Sequence, residues 1–388
     1  HDLFILGDGC SVGLSSPTNG TKYFYLSSQN GGVFRASLDP ADNQFAGEFT
    51  GIKPQGAQGD FITLFYLDPD NTEDLYFASN DTLFRTTAAS QVSSTTWTRM
   101  SGVNSSITGE IRSMATTRGS YGPGHNLFFG TDGGKVYRIR DPQNALPATI
   151  PVDISDPGME GVVIGVAVNP RNDDTIMAVI SNYDTQSIWW TGNANDSIPV
   201  WQAIEGSGSG NLQAPSIRSC AIVATQTGVE YFVGTQIGLY STTRINGANT
   251  SWTPEVHSGP LQYAIVSSLA LRWSDNTLVV GTHGNGMFFT SIGSATGITP
   301  PPDTGSIFIR TLYPTLFTGT MNIQVGTLSG VTGIRIFIFN MVGQESYEAG
   351  LPYQNESLNL GFLPDGMYVV YIVSEDGTHR YTRKIIRQ

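Results

Sequence analysis

The chain has 388 residues, 20 basic against 32 acidic, and a net charge of −12. That charge argues against nucleic acid or an anionic membrane as its partner, and no apolar run approaches the ~18 residues that cross a bilayer. Glycine is abundant (45), charged side chains make up only 13%, and such a composition suits many short strands joined by tight turns in two or three units of ~150 residues.

The sequence opens at His1 and falls at once into the apolar run Leu3-Phe4-Ile5-Leu6. This reads as a processed or truncated start within a longer protein. Over the next 280 residues one motif recurs: an apolar strand, Ser or Thr, a polar residue, a Gly- or Asn-rich turn, then an apolar-aromatic strand. Its Ser/Thr positions are Ser28, Ser79, Thr131, Ser181, Thr235 and Thr282, spaced by 51, 52, 50, 54 and 47 residues. Such spacing predicts a β-propeller with one four-stranded blade per repeat. Each copy follows a short strand with a small residue at one place: Ser11, Thr63, Ser113, Gly165, Ser219 and Ser268. Strands crowding a central axis give that place a steric reason to be small. Outer strands carry Trp97, Trp201 and Trp252, and 68–71 and 169–172 read as turns between first and second strands. Six blades are counted, and seven or more are expected in the intact ring. Cys10 and Cys220 fall several blades apart on opposite sides of their strands, which predicts that they do not pair.

These repeats resemble the sialidase/Asp-box superfamily of propellers, including the sortilin-like and xyloglucan-hydrolase groups. The segment Thr282-His283-Gly284-Asn285-Gly286-Met287-Phe288 has the form of their closing hairpins. The resemblance covers residues 1–293 and implies the fold. No full Ser-x-Asp-x-Gly-x-Thr-Trp box survives, so it says little about activity.

Residues 294–305 form a linker whose three consecutive prolines stiffen it. Beyond it, at 306–388, lies a second all-β unit. Met367 to Val373 is apolar on both faces, 375–377 is a turn, and 381–386 returns, a hairpin in which Arg380, Arg383, Lys384 and Arg387 place positive charge. From about Thr304 onward the blocks Leu312-Tyr313-Pro314-Thr315, the 334–344 run ending in Gly343-Gln344, Leu363-Pro364-Asp365-Gly366-Met367-Tyr368 and Lys384-Ile385-Ile386 follow in order. They resemble the type A C-terminal sorting domain of Bacteroidetes type IX secretion substrates, with Thr315 where the commoner form has Asn-Pro. The resemblance implies a seven-stranded Ig-like sandwich, export to the cell surface or medium, and recognition by the outer-membrane translocon with its shuttle and sorting peptidase. The secretion signal it implies comprises Tyr313, Pro314, Gly343, Gly366, Tyr368, Lys384 and Arg387, with the terminal hairpin as the exposed contact.

Candidate chemistry is sparse. Gln29, Asn80, Asp132, Asn182, Gln236 and His283 occupy equivalent hairpin positions and form a polar ring on the face where propellers usually bind ligands. They either satisfy their own turns or form a glycan or peptide site, helped by Trp189, Trp190 or Trp273. Arg112 and Arg218 share an inner-strand position, and two converging arginines suit a carboxylate. A sialidase needs a third, and the equivalents are Cys10, Ile62, Ile164 and Ser267. Asp8, Asp60, Asp132, Asp156 and Glu160 lie near the same rim without a spacing that pairs them for hydrolysis. Asp68, Asp70, Asn71 and Asp74 lack the register of a calcium loop, and no cofactor or metal is expected. Thr82, Thr175 and Ser197 follow Asp and precede an apolar residue, resembling Bacteroidetes O-glycosylation acceptors. The sequence therefore predicts a non-catalytic binding or adhesion propeller behind an export signal. The rivals are a diverged polysaccharide hydrolase and a spacer of a giant adhesin.

Overall fold

The computed structural model describes residues 9–388 apart from 40–42, 120–121, 123, 184, 209, 214, 226–227, 256–262, 294–308, 314–315, 326–332, 341–343, 352–354 and 376–379. The chain divides into two compact units, His1–Ser294 and Ala295–Gln388.

In the first unit, five sheets of four antiparallel strands follow one another along the chain. They are β1 (Gly9–Leu14), β2 (Lys22–Ser28), β3 (Gly32–Leu38) and β4 (Thr50–Gly51); then β5 (Phe65–Leu67), β6 (Leu75–Ser79), β7 (Thr82–Thr86) and β8 (Thr98–Met100). The third is β9 (Ile111–Thr116), β10 (Asn126–Thr131), β11 (Val136–Arg140) and β12 (Val152–Asp153). The fourth is β13 (Val163–Asn169), β14 (Asn172–Ile180), β15 (Ile188–Thr191) and β16 (Trp201–Ala203); the fifth is β17 (Ile217–Ala224), β18 (Val229–Thr235), β19 (Gly238–Thr242) and β20 (Thr253–Pro254). A sixth sheet has three strands among the described residues: β21 (Val266–Arg272), β22 (Thr277–Thr282) and β23 (Met287–Ser291). Within each sheet the order is sequential, so every strand pairs with its chain neighbour, with longer loops joining third and fourth strands.

An apolar cluster fills each gap between successive sheets. Phe65, Phe77 and Tyr25 lie between the first and second; Leu127, Phe129 and Tyr76 between the second and third. Phe128, Ile176 and Trp201 fill the next gap, Met177, Val233 and Trp252 the one after, and Phe232, Val266 and Leu278 the last. Each such side chain contributes about 1.5–3 kcal/mol by leaving water. First strands lie side by side: β1 on β5, β9 on β13, β13 on β17, β17 on β21. Their small residues have a double reason. A Cβ on Gly165 would come within 2.9 Å of Val179 and 3.2 Å of the Cys220 sulfur. The hydroxyls of Ser11 and Ser113 instead donate to the carbonyls of Thr63 (3.1 Å) and Val163 (2.8 Å) in the next sheet.

Two other kinds of repeat residue, tryptophans and arginines, also bond across sheets. The indole N–H groups of Trp97, Trp201 and Trp252 donate to the carbonyls of Ile52, Ile154 and Ile204, each just past the fourth strand of the preceding sheet, at 2.6–2.8 Å. Arg35, Arg85 and Arg138, on third strands, reach forward to loop carbonyls at Ala89 and Val92, Pro142 and Ala145, and Ala194 and Asp196. The sixth sheet lacks such cover. Met287 and Phe289 are 80% and 79% exposed, whereas Val33, Leu83, Val136, Ile188 and Leu239, which match Met287, are all buried.

The second unit packs a three-stranded sheet on a five-stranded one. The first is β24 (Ile309–Tyr313), β26 (Thr320–Val325) and β29 (Asn355–Asn359); the second runs β25 (Leu316–Phe317), β31 (Arg380–Arg387), β30 (Gly366–Ser374), β27 (Ile334–Asn340), β28 (Glu345–Leu351). Among the described residues this unit has eight strand segments, one of them β25, a two-residue parallel pairing with β31. Met321, Ile323 and Leu358 face Ile336, Ile338, Val370 and Ile372 in the shared core. The apolar-on-both-faces reading of β30 resolves into Tyr368, Val370 and Ile372 buried inward, with Met367, Val369, Tyr371 and Val373 half-buried on the other face.

Candidate functional site

The hairpins between second and third strands share one face of the first unit with the segments that lead into the first strands. Backbone bonds establish this: Asp132 N–H donates to the Glu110 carbonyl (3.0 Å), Gln236 N–H to Ser216 (3.0 Å), His283 N–H to Ile265 (2.9 Å), and Ile111 N–H to Asn80 (2.9 Å). The recurring Ser/Thr shapes these turns. Thr235 donates to the Gly238 carbonyl and Thr282 to that of Gly286, at 2.9 and 2.6 Å. Asn80 takes a left-handed φ of 56°, which asparagine tolerates.

The predicted ring residues sit on this face, engaged in different ways. Asp132 accepts from Glu110 N–H (2.8 Å) and pairs with Arg112. Asn182 accepts from Val162 N–H (2.9 Å), and Gln236 from the Tyr183 hydroxyl (2.5 Å). The Gln29 amide oxygen is buried without a hydrogen-bond partner among the described residues, while His283 is exposed. Arg112 holds three carboxylates at once: Asp60, Glu110 (2.6 Å) and Asp132 (2.9 Å). Three carboxylates around one guanidinium leave this rim negative. Arg218, its counterpart, is exposed, so the structure does not give the two arginines equal surroundings. Trp189 is buried at 7% exposure, with its N–H on the Gln186 carbonyl, contrary to its expected place as an exposed ligand platform; strand β15 turns it into the core. Trp190 is half-buried and donates to the Tyr231 hydroxyl.

Between the sheets runs a cavity of about 310 Å³ lined by the first strands, from Tyr66 on β5 through Met114, Val166 and Cys220 to Leu269 on β21. Burial pushes the Cys220 thiol up to about 12, so it is a packing group rather than a nucleophile. No disulfide joins it to Cys10.

The opposite face holds a constellation the motifs did not reveal. Asp70, in the turn after β5, accepts two bonds from the Arg118 guanidinium (2.9 and 3.1 Å) and one from Gly119 N–H (2.6 Å). The Trp273 indole, from the turn after β21, donates to the same carboxylate at 3.2 Å, and Arg118 lies over its ring at 5.5 Å. Trp273 is therefore on the face opposite the hairpins, where it ties the sixth sheet to the second and third. Arg118 also lines the cavity, so this lock stands at that end of it. Beside it, fully buried Asp68 meets His125 Nε2 (3.0 Å), whose Nδ1 lies 3.1 Å from the Thr117 hydroxyl. Burial and the Asp68 charge raise the Asp74 carboxyl to about 6. Asp68 also accepts from the N–H groups of Asp70 and Asn71, the turn chemistry expected of this run. Among the described residues no His, Cys, Asp or Glu cluster could hold a metal ion. Of the three acceptor-like positions, Thr82 and Thr175 are buried and Ser197 is exposed.

In the second unit, Gly366 adopts φ 154°, a backbone conformation that favours glycine. The Tyr368 hydroxyl donates to the Pro364 carbonyl at 2.8 Å. Arg387 is mostly covered, bonding Asp365 (3.0 Å) and the Gly361 carbonyl (3.4 Å). Lys384 is placed opposite Val369 and Tyr313 opposite Asn322; Pro314 and Gly343 lie outside the described residues.

Residues 311–388 match the family model of the secretion system C-terminal sorting domain. No curated protein matches the chain. Among solved structures, it is similar to PorZ, an essential bacterial surface component of the type-IX secretion system of Porphyromonas gingivalis, with a TM-score of 0.51 and 16% identity. That similarity covers 98% of this chain and 52% of PorZ, so the chain spans about half of PorZ's length, and the likeness is one of fold. The extracellular domain of BT4673 from B. thetaiotaomicron is similar over 98% of this chain and 57% of its own (TM-score 0.39, 12% identity). The Malassezia sympodialis allergen Mala s 1 is similar over 71% and 86% (TM-score 0.42, 11% identity). The C-terminal sorting domain indicates a type IX secretion substrate and implies export out of the cell. No helix among the described residues is long and apolar enough to cross a membrane.

Proposed function

We propose that the chain is a binding module displayed at the cell surface, a β-propeller carried out by an Ig-like sorting domain. The observation that carries this reading is the sorting-domain match over residues 311–388. The propeller reading is supported by sequential antiparallel sheets whose first strands, from β5 to β21, line one cavity. The uncovered third strand of the sixth sheet supports a ring of more than six. Translocon, shuttle and sorting peptidase are its export partners, and the linker at 294–305 separates signal from cargo. The ligand would meet the hairpin face, where Tyr183, Arg218 and His283 are exposed and the Arg112 cluster is already internally paired. Such a rim suits a neutral glycan or a protein loop better than an anionic sugar.

Deleting residues 379–388 should hold the protein inside a type IX-competent host, as cell fractionation would show; unchanged export would refute the export reading. The full chain on a glycan array should retain a neutral glycan. Release of reducing ends from that glycan would make it a hydrolase, and no retention of any glycan would favour a spacer.

A further inference from the structure

Four sequence blocks that lie far apart in the second unit meet at one of its ends. Gly366 pairs with Arg387, bringing the 363–366 turn beside the last residues. Leu316 and Phe317, which follow the Tyr313-Pro314 block, pair in parallel with Ile386 and Arg387, and Gln388 N–H donates to the Phe317 carbonyl at 3.0 Å. Asn340 pairs with Tyr368, so Asn340 and Gln344 lie at the same end. The Asn340 side chain receives Gln344 N–H at 2.9 Å.

At the centre of this end is Arg387. Its side chain is only 16% exposed, against 76% for Asp365, and its guanidinium bonds the Asp365 carboxylate and the carbonyls of Gly361 and Gln388. A charge engaged from three sides is poorly placed to be read by a partner. The bonds to Asp365 and Gly361 instead hold the final strand against the 361–366 loop, which presents Phe362 and Asp365 outward. We infer that the export signal is a folded surface assembled at this end of the second unit, and that Arg387 is a positioning residue that clasps it rather than a charge that is recognised. The inference rests on the export reading above. Its consequence is that the partner docks on a composite of turns, so the identity of residue 387 matters through its bond geometry. A planar fork can hold two acceptors at once, and an ammonium on a flexible stem cannot do so equally.

The test uses the full chain in a type IX-competent host, with the exported fraction measured for Arg387→Lys, Arg387→Glu, Asp365→Arg and the double swap Asp365→Arg/Arg387→Glu. Each single substitution should lower export, Arg387→Glu and Asp365→Arg by about tenfold, as expected when a mostly covered guanidinium loses its partner. The double swap should recover only part of the loss, since the ion pair is re-formed with reversed polarity but Glu at 387 cannot donate to the Gly361 carbonyl. Wild-type export of Arg387→Lys, with the double swap retained as fully as Arg387→Glu, would overturn the inference by showing that positive charge at 387 is read directly. Wild-type export of Asp365→Arg would overturn it by making the clasp irrelevant. Melting curves of the purified variants accompany the export assay, and Arg387→Lys, which keeps the charge and the stem, serves as the variant that folds. Failure of the export reading itself is distinct: there the 379–388 deletion is exported normally.

Discussion

Asp74 illustrates how one side chain's surroundings set its chemistry. It is fully buried, one carboxylate oxygen has no hydrogen-bond partner among the described residues, and the other receives the Asn71 amide at 3.1 Å. Desolvation and the Asp68 charge raise its carboxyl to about 6 against an ordinary 3.8. The fold therefore favours the protonated acid, so the stabilising contribution is complete below about pH 4 and is lost as pH rises through about 6. Asp74→Asn mimics the protonated form and keeps an acceptor for Asn71. It should raise stability by about 1–3 kcal/mol at pH 8 and change little at pH 4. Urea denaturation at the two pH values measures this, and equal effects at both would count against the burial argument. The turn role of Asp68 and Asn71 was legible in sequence, because an Asx residue bonds its own backbone two positions on. The His125–Asp68 contact, 57 residues apart, was not.

At the scale of elements, the repeat residues prove to be joints between sheets. The N–H of Trp201 holds the Ile154 carbonyl at 2.6 Å. Trp201→Phe keeps most of the ring but removes that donor, and should cost about 1–2 kcal/mol. Arg85 is buried and caps loop carbonyls at Pro142 and Ala145 of the following sheet. Arg85→Met retains the apolar stem and leaves those carbonyls without their cation, at about 2–3 kcal/mol. Both appear as lower urea midpoints of the first unit, and an unchanged midpoint would contradict the joint assignment. The tryptophans, the small first-strand residues and the hairpin Ser/Thr were all visible as a repeat, because each repeat places them in the same environment. The arginines lay inside the same motif without a visible purpose. Their acceptors are loop carbonyls, which any sequence supplies, so only the packed neighbour identifies them.

At the scale of the whole first unit, Asp70, Arg118 and Trp273 join three sheets over as many as 203 residues. Arg118→Met breaks both the ion pair and the ring contact. It should cost only about 1–2 kcal/mol, since Trp273 is 42% exposed. Its clearer signature is faster amide exchange at 68–74 and 117–126, followed by mass spectrometry; unchanged protection there would remove the lock from the account. By itself the sequence determined the all-β class, the repeat period, the hairpin turns and the sorting-domain blocks, because alternation, turn residues and short motifs are local and act on their chain neighbours. Only the tertiary structure decided that Arg112 is held by three acids, that Trp189 is buried, that a cross-sheet lock stands at one end of the cavity, and that Arg387 faces inward. Each of those depends on which distant segment arrives beside the residue. That arrival is set by sheet packing, in which many sequences of similar pattern are equivalent, so no local signal records it.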